Sequence, residues 1–141
     1  MKVAFLVLLF FLSFLKVYAK NDNLMSIVGQ PQAIEYIQKQ FLSPRDTVVA
    51  VIDTGITSEH PDFLGKLYGH SYDFIQQSYN VTDRLGRGTY IASLIAQFNP
   101  WARILAFRVV NNTFSSKGER VVEAIEQAIE QRASIIYLAR E

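Results

Sequence analysis

The chain has 141 residues, of which 50% are hydrophobic and 13% aromatic, which is enough apolar material for the core of one modest domain and too much for a disordered chain. Fourteen lysines and arginines against 13 aspartates and glutamates leave a formal charge of +1, which argues against a nucleic-acid surface and against a polybasic membrane patch. Cysteine is absent from the sequence, so disulfide scaffolds, thiolate zinc sites and thiol nucleophiles are excluded.

The first nineteen residues have the pattern of a cleavable export signal. Lys2 supplies a positive start, residues 3–15 form an apolar run with one polar residue, and the segment ends at Ala19, a small residue that signal peptidase accepts. The run is too short to span a bilayer comfortably. We therefore expect a signal peptide at 1–19, a secreted or periplasmic mature chain at 20–141, and no stable membrane span. An uncleaved membrane anchor is the alternative.

The mature chain alternates helical and strand-like patterns. Pro31 opens a helical repeat of Ile34, Ile37 and Phe41 that stops at Ser43-Pro44. A β-branched run at 47–52 then fits a strand buried on both faces. The further expected elements are a weaker strand at 67–74, a helix opened by Gly88-Thr89, a strand at 104–110, a helix with Val121, Ile125 and Ile129 on one face, and a strand at 135–138. This alternation predicts an α/β fold with a parallel sheet flanked by helices.

The residue best placed for chemistry is Asp53, directly after the first buried strand in the sequence Val-Ile-Asp-Thr-Gly. A carboxylate at the carboxyl end of a central parallel strand lies on the rim where open α/β sheets build their sites. Gly55 permits a sharp exit from the strand. Taken alone, the Asp-Thr-Gly triplet favours an ordinary turn carboxylate over a functional one.

Two segments together resemble the subtilisin-like serine proteases. Residues 49–56, followed by His-Pro-Asp-Phe at 60–63, resemble the family segment that carries the catalytic aspartate. Residues 86–93, Gly-Arg-Gly-Thr-Tyr-Ile-Ala-Ser, resemble the family sequence Gly-His-Gly-Thr-His-Val-Ala-Gly, in which the second histidine is assigned as the general base. The resemblance runs from Ser26 to the end and covers only the front half of a catalytic domain. It implies a partial subtilisin-like peptidase domain with a truncated three-layer fold, and a family activity of serine endopeptidase hydrolysis of polypeptides.

The departures from the family pattern concern the catalytic groups. Asp53 is carried over, but Tyr90 stands in the place assigned to the histidine, and a phenol does not accept a serine proton at neutral pH as an imidazole does. The Gly-Thr-Ser nucleophile segment does not occur in the sequence. An aspartate alone has nothing to orient. We therefore take Asp53 and Tyr90 as the site residues and expect no cofactor and no peptidase activity from the isolated chain.

A calcium site is not expected either. Asp62 matches a position that contributes to a structural calcium site in many subtilases. The loop that should follow the second motif is, however, cut to residues 97–102. One oxygen ligand falls far short of the roughly six to eight that calcium takes. We expect no bound metal.

Several functions stay open at this point. The chain is a decayed protease remnant, a non-enzymatic binding module such as a decoy or partner of a protease, or half of a split enzyme whose serine segment comes from another chain. A dimeric aspartic protease half is a remote alternative, because Asp-Thr-Gly also occurs in that largely β-sheet class. The apolar strand at 135–138 predicts an unpaired sheet edge and self-association. Asn80 and Asn111 each begin a triplet of the glycosylation type.

Overall fold

The computed structural model describes residues 26–39 and 47–139, and within this range the side chains of residues 37–39 are left aside. The chain has two units, residues 1–44 and 45–141. The predicted signal segment at 1–19 and the apolar position Phe41 lie outside the described residues. No helix in the described ranges has the length and hydropathy needed to cross a membrane.

The first unit contributes helix α1, Gln30–Lys39. Pro31 lies in its first turn, where a missing N–H costs nothing because that group has no partner within the helix. Gly29, with φ +73°, precedes the helix. The predicted start of this helix at Pro31 is therefore correct to within one residue.

The second unit holds a four-stranded sheet. Its elements are β1 (Thr47–Asp53), a short 3-10 helix (Pro61–Phe63), β2 (Tyr72–Asp73), α2 (Arg87–Phe98), β3 (Ala102–Arg108), α3 (Gly118–Glu130) and β4 (Ile135–Leu138). The strand order is β2-β3-β1-β4, and each neighbouring pair is parallel. The predicted parallel α/β fold is confirmed.

Helices cover both faces of this sheet. Ala92 and Ala96 of α2 pack with Val51, Ile104 and Ala106 on one face. On the opposite face Ala124 and Ala128 of α3 pack with Ala50, Ile52, Leu105 and Phe107. Strand β1 is buried from Val48 to Asp53 because helices cover both of its faces and strands flank both of its edges. The three-layer arrangement excludes the all-β fold of an aspartic protease half.

The strand predicted at 67–74 is wrong over most of its length. A single bridge joins Leu67 to Ile104, and only Tyr72 and Asp73 form strand β2. Between them the hydroxyl oxygen of Ser71 accepts the N–H of Ala106 at 3.0 Å. A side chain thus takes the place of a strand carbonyl, and the backbone leaves the sheet.

The neighbouring backbone of this segment is held by Gln131, the residue that follows helix α3. The amide of Gln131 accepts the N–H of His70 at 2.7 Å and donates to the carbonyl of His70 at 3.1 Å. The polar backbone groups of His70 therefore have partners without any strand pairing. Hydropathy alone does not reveal that side-chain hydrogen bonds replace strand pairing in this segment.

Candidate active-site edge

Asp53 is fully buried at the carboxyl end of β1. Its backbone carbonyl accepts the N–H groups of Val109 and Val110 at 2.9 and 3.2 Å, so the chain that leaves β3 turns around the end of β1. Its side-chain Oδ1 accepts the N–H of Thr54 at 2.6 Å. The structure places the predicted aspartate at the sheet edge where open α/β folds build their sites.

Two glycines bring helix α2 against this strand end. A Cβ on Gly88 would collide with the carbonyl oxygen of Gly55, and Gly55 itself has φ +101°, a left-handed value that L side chains rarely adopt. The N–H of Gly88 donates to the hydroxyl of Thr54 at 3.0 Å. The first turn of α2 therefore packs backbone to backbone on the turn that follows β1.

Asp83 caps the start of the same helix. Its Oδ1 accepts the N–H groups of Leu85 and Gly86 at 3.0 and 2.8 Å. Its Oδ2 accepts both the N–H and the hydroxyl of Thr89 at 2.9 and 2.7 Å. Burial raises the pKa of Asp83, but these hydrogen bonds outweigh burial and hold the pKa below its ordinary value.

This cap gives stability a measurable pH dependence. Because the folded-state pKa is depressed, the contribution of Asp83 is present in full above about pH 5 and is lost as pH falls below about 4. Asp83→Asn should lower the free energy of unfolding by about 1–2 kcal/mol at pH 7, since an amide NH₂ cannot accept the Thr89 bonds. Urea unfolding at pH 7 and pH 3 should show a smaller pH effect in the variant, with Glu123→Gln, at an exposed position on α3, as the control. Equal pH effects would contradict the role of Asp83.

The side chain that meets Asp53 is Arg87. Its Nε donates to Asp53 Oδ1 at 2.8 Å, and about a third of the arginine side chain is exposed while the carboxylate is fully buried. The contact uses one nitrogen of the guanidinium and one oxygen of the carboxylate. Asp53 Oδ2 and Arg87 Nη2 are both buried and have no hydrogen-bond partner among the described residues.

Tyr90 does not occupy the place predicted for it. It lies on α2 three residues beyond Arg87, and its side chain is 63% exposed. The family sequence carries a histidine at each of the two positions filled here by Arg87 and Tyr90, and the first of these positions is the one that faces Asp53. In the structure, Arg87 rather than Tyr90 therefore lies beside the aspartate.

A second buried ion pair lies beside the first. Arg108, which pairs in register with Asp53, donates from Nη1 to Asp73 Oδ2 at 2.7 Å and from Nη2 to Asn112 Oδ1 at 3.1 Å. Asp73 Oδ1 accepts the N–H groups of Ile75 and Gln76 at 2.7 and 3.0 Å. Sequence analysis missed this pair, although a lone arginine at the end of an apolar strand was a signal for it.

The carboxylate of Asp62 is engaged by helix α2. Its Oδ2 accepts the hydroxyl of Ser93 and the amide of Gln97, the latter at 2.7 Å, and His60 Nδ1 lies 3.7 Å away. Burial raises the pKa of Asp62, whereas these hydrogen bonds and the nearby His60 and Lys66 lower it, with a net decrease. Among the described residues, no group of three or more His, Cys, Asp or Glu side chains could hold a metal ion.

Comparison with known proteins bears on both fold and family. The sequence model of the subtilase family, peptidase S8, matches residues 44–139. The chain is 35% identical over 101 residues to thermitase of Thermoactinomyces vulgaris, covering 64% of this chain and 36% of that protein. It is 30% identical over 139 residues to subtilisin E of Bacillus subtilis, covering 86% and 36%. The crystal structure of a lanthipeptide protease superposes with a TM-score of 0.61 at 23% identity, covering 66% of this chain and 28% of that one.

The chain matches only part of each of these relatives. The chain spans about a third of the length of thermitase and subtilisin E. The matched relatives also include proteins named as extracellular and as intracellular proteases. The likeness to the solved structure concerns the fold alone.

Proposed function

Because this chain belongs to the subtilase family, we propose that it is a catalytically degenerate member that does not hydrolyse peptides by itself. The observation that carries the proposal is the 2.8 Å contact between Arg87 Nε and Asp53 Oδ1. In a working triad the aspartate orients an imidazole that takes and returns the serine proton. A guanidinium stays protonated in proteins and cannot accept that proton. The group beside Asp53 is therefore unable to act as a base.

The printed sequence also lacks a Gly-Thr-Ser nucleophile segment. A serine segment elsewhere in the polypeptide or on another chain would supply a nucleophile and would still leave Arg87 beside Asp53. Arg87 thus favours a non-enzymatic binding protein for polypeptides or for a protease over one half of a split protease.

A direct assay tests the proposal. The purified chain, incubated with an unstructured polypeptide, should release no fragments above the background without protein. A serine-directed covalent inhibitor should leave the mass of the chain unchanged. Fragment release that this inhibitor abolishes would refute two claims: that the chain has no serine nucleophile, and that Arg87 stands where a base would be needed.

We further propose that the protein is exported. The support is the apolar run at 3–15, which ends at Ala19, together with the extracellular relatives. The mature chain then begins at Lys20. N-terminal sequencing of exported protein tests the cleavage, and recovery of Met1 would count against it.

Strand β4 supports a proposal of self-association. Ile136 packs with the cluster under α3 and Tyr137 with the cluster under α2, so this strand is apolar on both faces like a central one. Yet among the described residues it pairs with β1 alone. Ile135 and Leu138 are 54% and 39% exposed. Such an edge is open to pairing with a second strand.

We expect the chain to associate at micromolar concentration. Size-exclusion chromatography with light scattering should show a dimer or larger species. Ile135→Lys should shift it toward monomer, because edge lysines oppose strand pairing. Leu64→Lys, at an even more exposed apolar position outside strand β4, serves as the control. A strictly monomeric wild-type chain would contradict the proposal.

A further inference from the structure

Arg87 is covered from outside by an aromatic ring. The ring of Phe114 lies with its centroid 5.6 Å from Arg87 Cζ, inside the limit of about 6 Å for attraction between a cation and an aromatic face. The carboxylate of Asp53 holds the same guanidinium through Nε. One cationic group therefore contacts a buried anion on one side and an aromatic ring on another.

The ring belongs to a loop with defined internal structure, residues 111–116, here called the cover loop. Asn111 Oδ1 accepts the N–H and the hydroxyl of Thr113 and the N–H of Ser115, at 2.8 to 3.0 Å. The N–H of Asn111 donates to the carbonyl of Ser115 at 2.9 Å. A bridge between Val110 and Ser116 closes the loop at its base. The cover loop is thus tied to itself independently of Arg87.

Phe114 takes an unusual conformation within this loop. Its φ is +57°, a left-handed value that a bulky L residue seldom adopts. The N–H of Phe114 donates to the carbonyl of Asn111 at 3.1 Å. The loop therefore keeps an unfavourable backbone conformation that presents the ring to the guanidinium.

The anionic side of the site has unused hydrogen-bonding capacity. Among the described residues, Arg87 contacts Asp53 from Nε to Oδ1, and Asp53 Oδ2 and Arg87 Nη2 are buried with no hydrogen-bond partner. A guanidinium that is not tethered to the helix could align two N–H groups with the two oxygens of the carboxylate, the fork geometry that such pairs prefer. The site is therefore better matched to the guanidinium group than to the arginine that now fills it.

We propose that Asp53 and Phe114 form a guanidinium-binding site, which the chain fills from within by Arg87. The floor of the site is the buried carboxylate and its roof is the ring held by the cover loop. Arg87 acts as an internal ligand that excludes other guanidinium groups, including arginine side chains of other polypeptides. This proposal concerns binding and stands apart from peptidase activity.

Removing the internal ligand tests the site directly. Arg87→Ala should bind methylguanidinium, whereas the wild-type chain should not. In thermal unfolding, a concentration ten times the dissociation constant should raise the folding equilibrium constant of Arg87→Ala about tenfold. Methylurea, which is planar and neutral, is the control ligand and should have no comparable effect. The double variant Arg87→Ala/Phe114→Ala should bind methylguanidinium about two- to fivefold more weakly, the loss expected for one exposed cation–aromatic contact.

A second measurement on the intact chain covers the case in which Arg87→Ala does not fold. The Nε proton of Arg87 should exchange slowly with solvent, as followed by NMR, and Phe114→Ala should accelerate this exchange. Tyr90→Ala removes an exposed aromatic ring from the same helix and should leave the exchange rate unchanged. A folded Arg87→Ala that responds equally to methylguanidinium and methylurea, or an unchanged Nε exchange rate in Phe114→Ala, would overturn the proposal. Either failure leaves the absence of peptidase activity untouched, because neither measurement involves hydrolysis.

Discussion

Asp73→Asn is expected to lower the free energy of unfolding by about 3–5 kcal/mol, the loss typical when one partner of a buried ion pair is removed. Asp73 is fully buried and Arg108 nearly so, with 2.7 Å between Oδ2 and Nη1. The amide of asparagine keeps an oxygen for the N–H groups of Ile75 and Gln76. The substitution therefore removes chiefly the negative charge. Among the described residues it leaves the buried guanidinium of Arg108 with the side-chain oxygen of Asn112 as its hydrogen-bond partner.

Urea unfolding at pH 7 measures this loss, with the dependence on urea concentration checked for constancy. Because a small domain is stable by only about 5–15 kcal/mol, the variant should unfold at much lower urea. The double variant Asp73→Asn/Arg108→Met is the matched control. It removes both charges and should be more stable than Asp73→Asn, since no buried charge is left without its partner. A single variant within about 1 kcal/mol of wild type would show that the pair is not buried in solution.

The largest effect on activity is expected from Arg87→His. This change should place an imidazole against Asp53 and rebuild the pair of aspartate and base. Alone it should hydrolyse nothing, because triad members act as a unit and the nucleophile is missing. With the carboxyl-terminal part of a subtilase supplied as a separate chain, Arg87→His should cleave an unstructured peptide. Adding Asp53→Ala should then reduce kcat by about 10⁴-fold, as loss of the triad aspartate does in serine proteases.

Tyr90→His is the matched control for this experiment. It introduces the same imidazole on the same helix, at the exposed position three residues further on. If Arg87 occupies the base position, Tyr90→His stays inactive under every condition that activates Arg87→His. Activity in Tyr90→His with none in Arg87→His would reverse the assignment. An assembly that forms with neither variant active would argue against reconstruction of the triad at this edge.

Much of the fold can be predicted from the sequence because the patterns that indicate its helices and strands are local. The β-branched run that became β1 and the spacing of Val121, Ile125 and Ile129 on α3 each predict one element. The position of Asp53 also follows from the sequence, since a carboxylate after a buried parallel strand lies at a fixed edge of the sheet. The failed prediction at 67–74 has a different origin. There the hydroxyl of Ser71 replaces a strand carbonyl, and a tertiary hydrogen bond of this kind leaves no periodic trace.

The other contacts of the site depend on which side chains the folded chain brings within reach of one another. Residue spacing places both Arg87 and Tyr90 on the first turns of one helix, but only the packing of that helix on β1 decides which of them meets Asp53. The pair of Asp73 and Arg108 joins residues 35 positions apart. Phe114 carries no sequence signal for a positive φ, because left-handed positions are usually marked by glycine or asparagine. These features depend on long-range geometry.

The contact between Gly88 and Gly55 has a consequence for how this protein can change over generations. The close approach of α2 to the end of β1 depends on the missing side chain of Gly88 and on the bond from its N–H to the Thr54 hydroxyl, and neither requires a particular side chain at position 87. A mutation at that position can therefore exchange one chemistry for another while the helix stays where it is. The position of the helix and the chemistry of the side chain at position 87 can therefore change independently. A protein that is no longer selected for catalysis can lose its base and keep its fold.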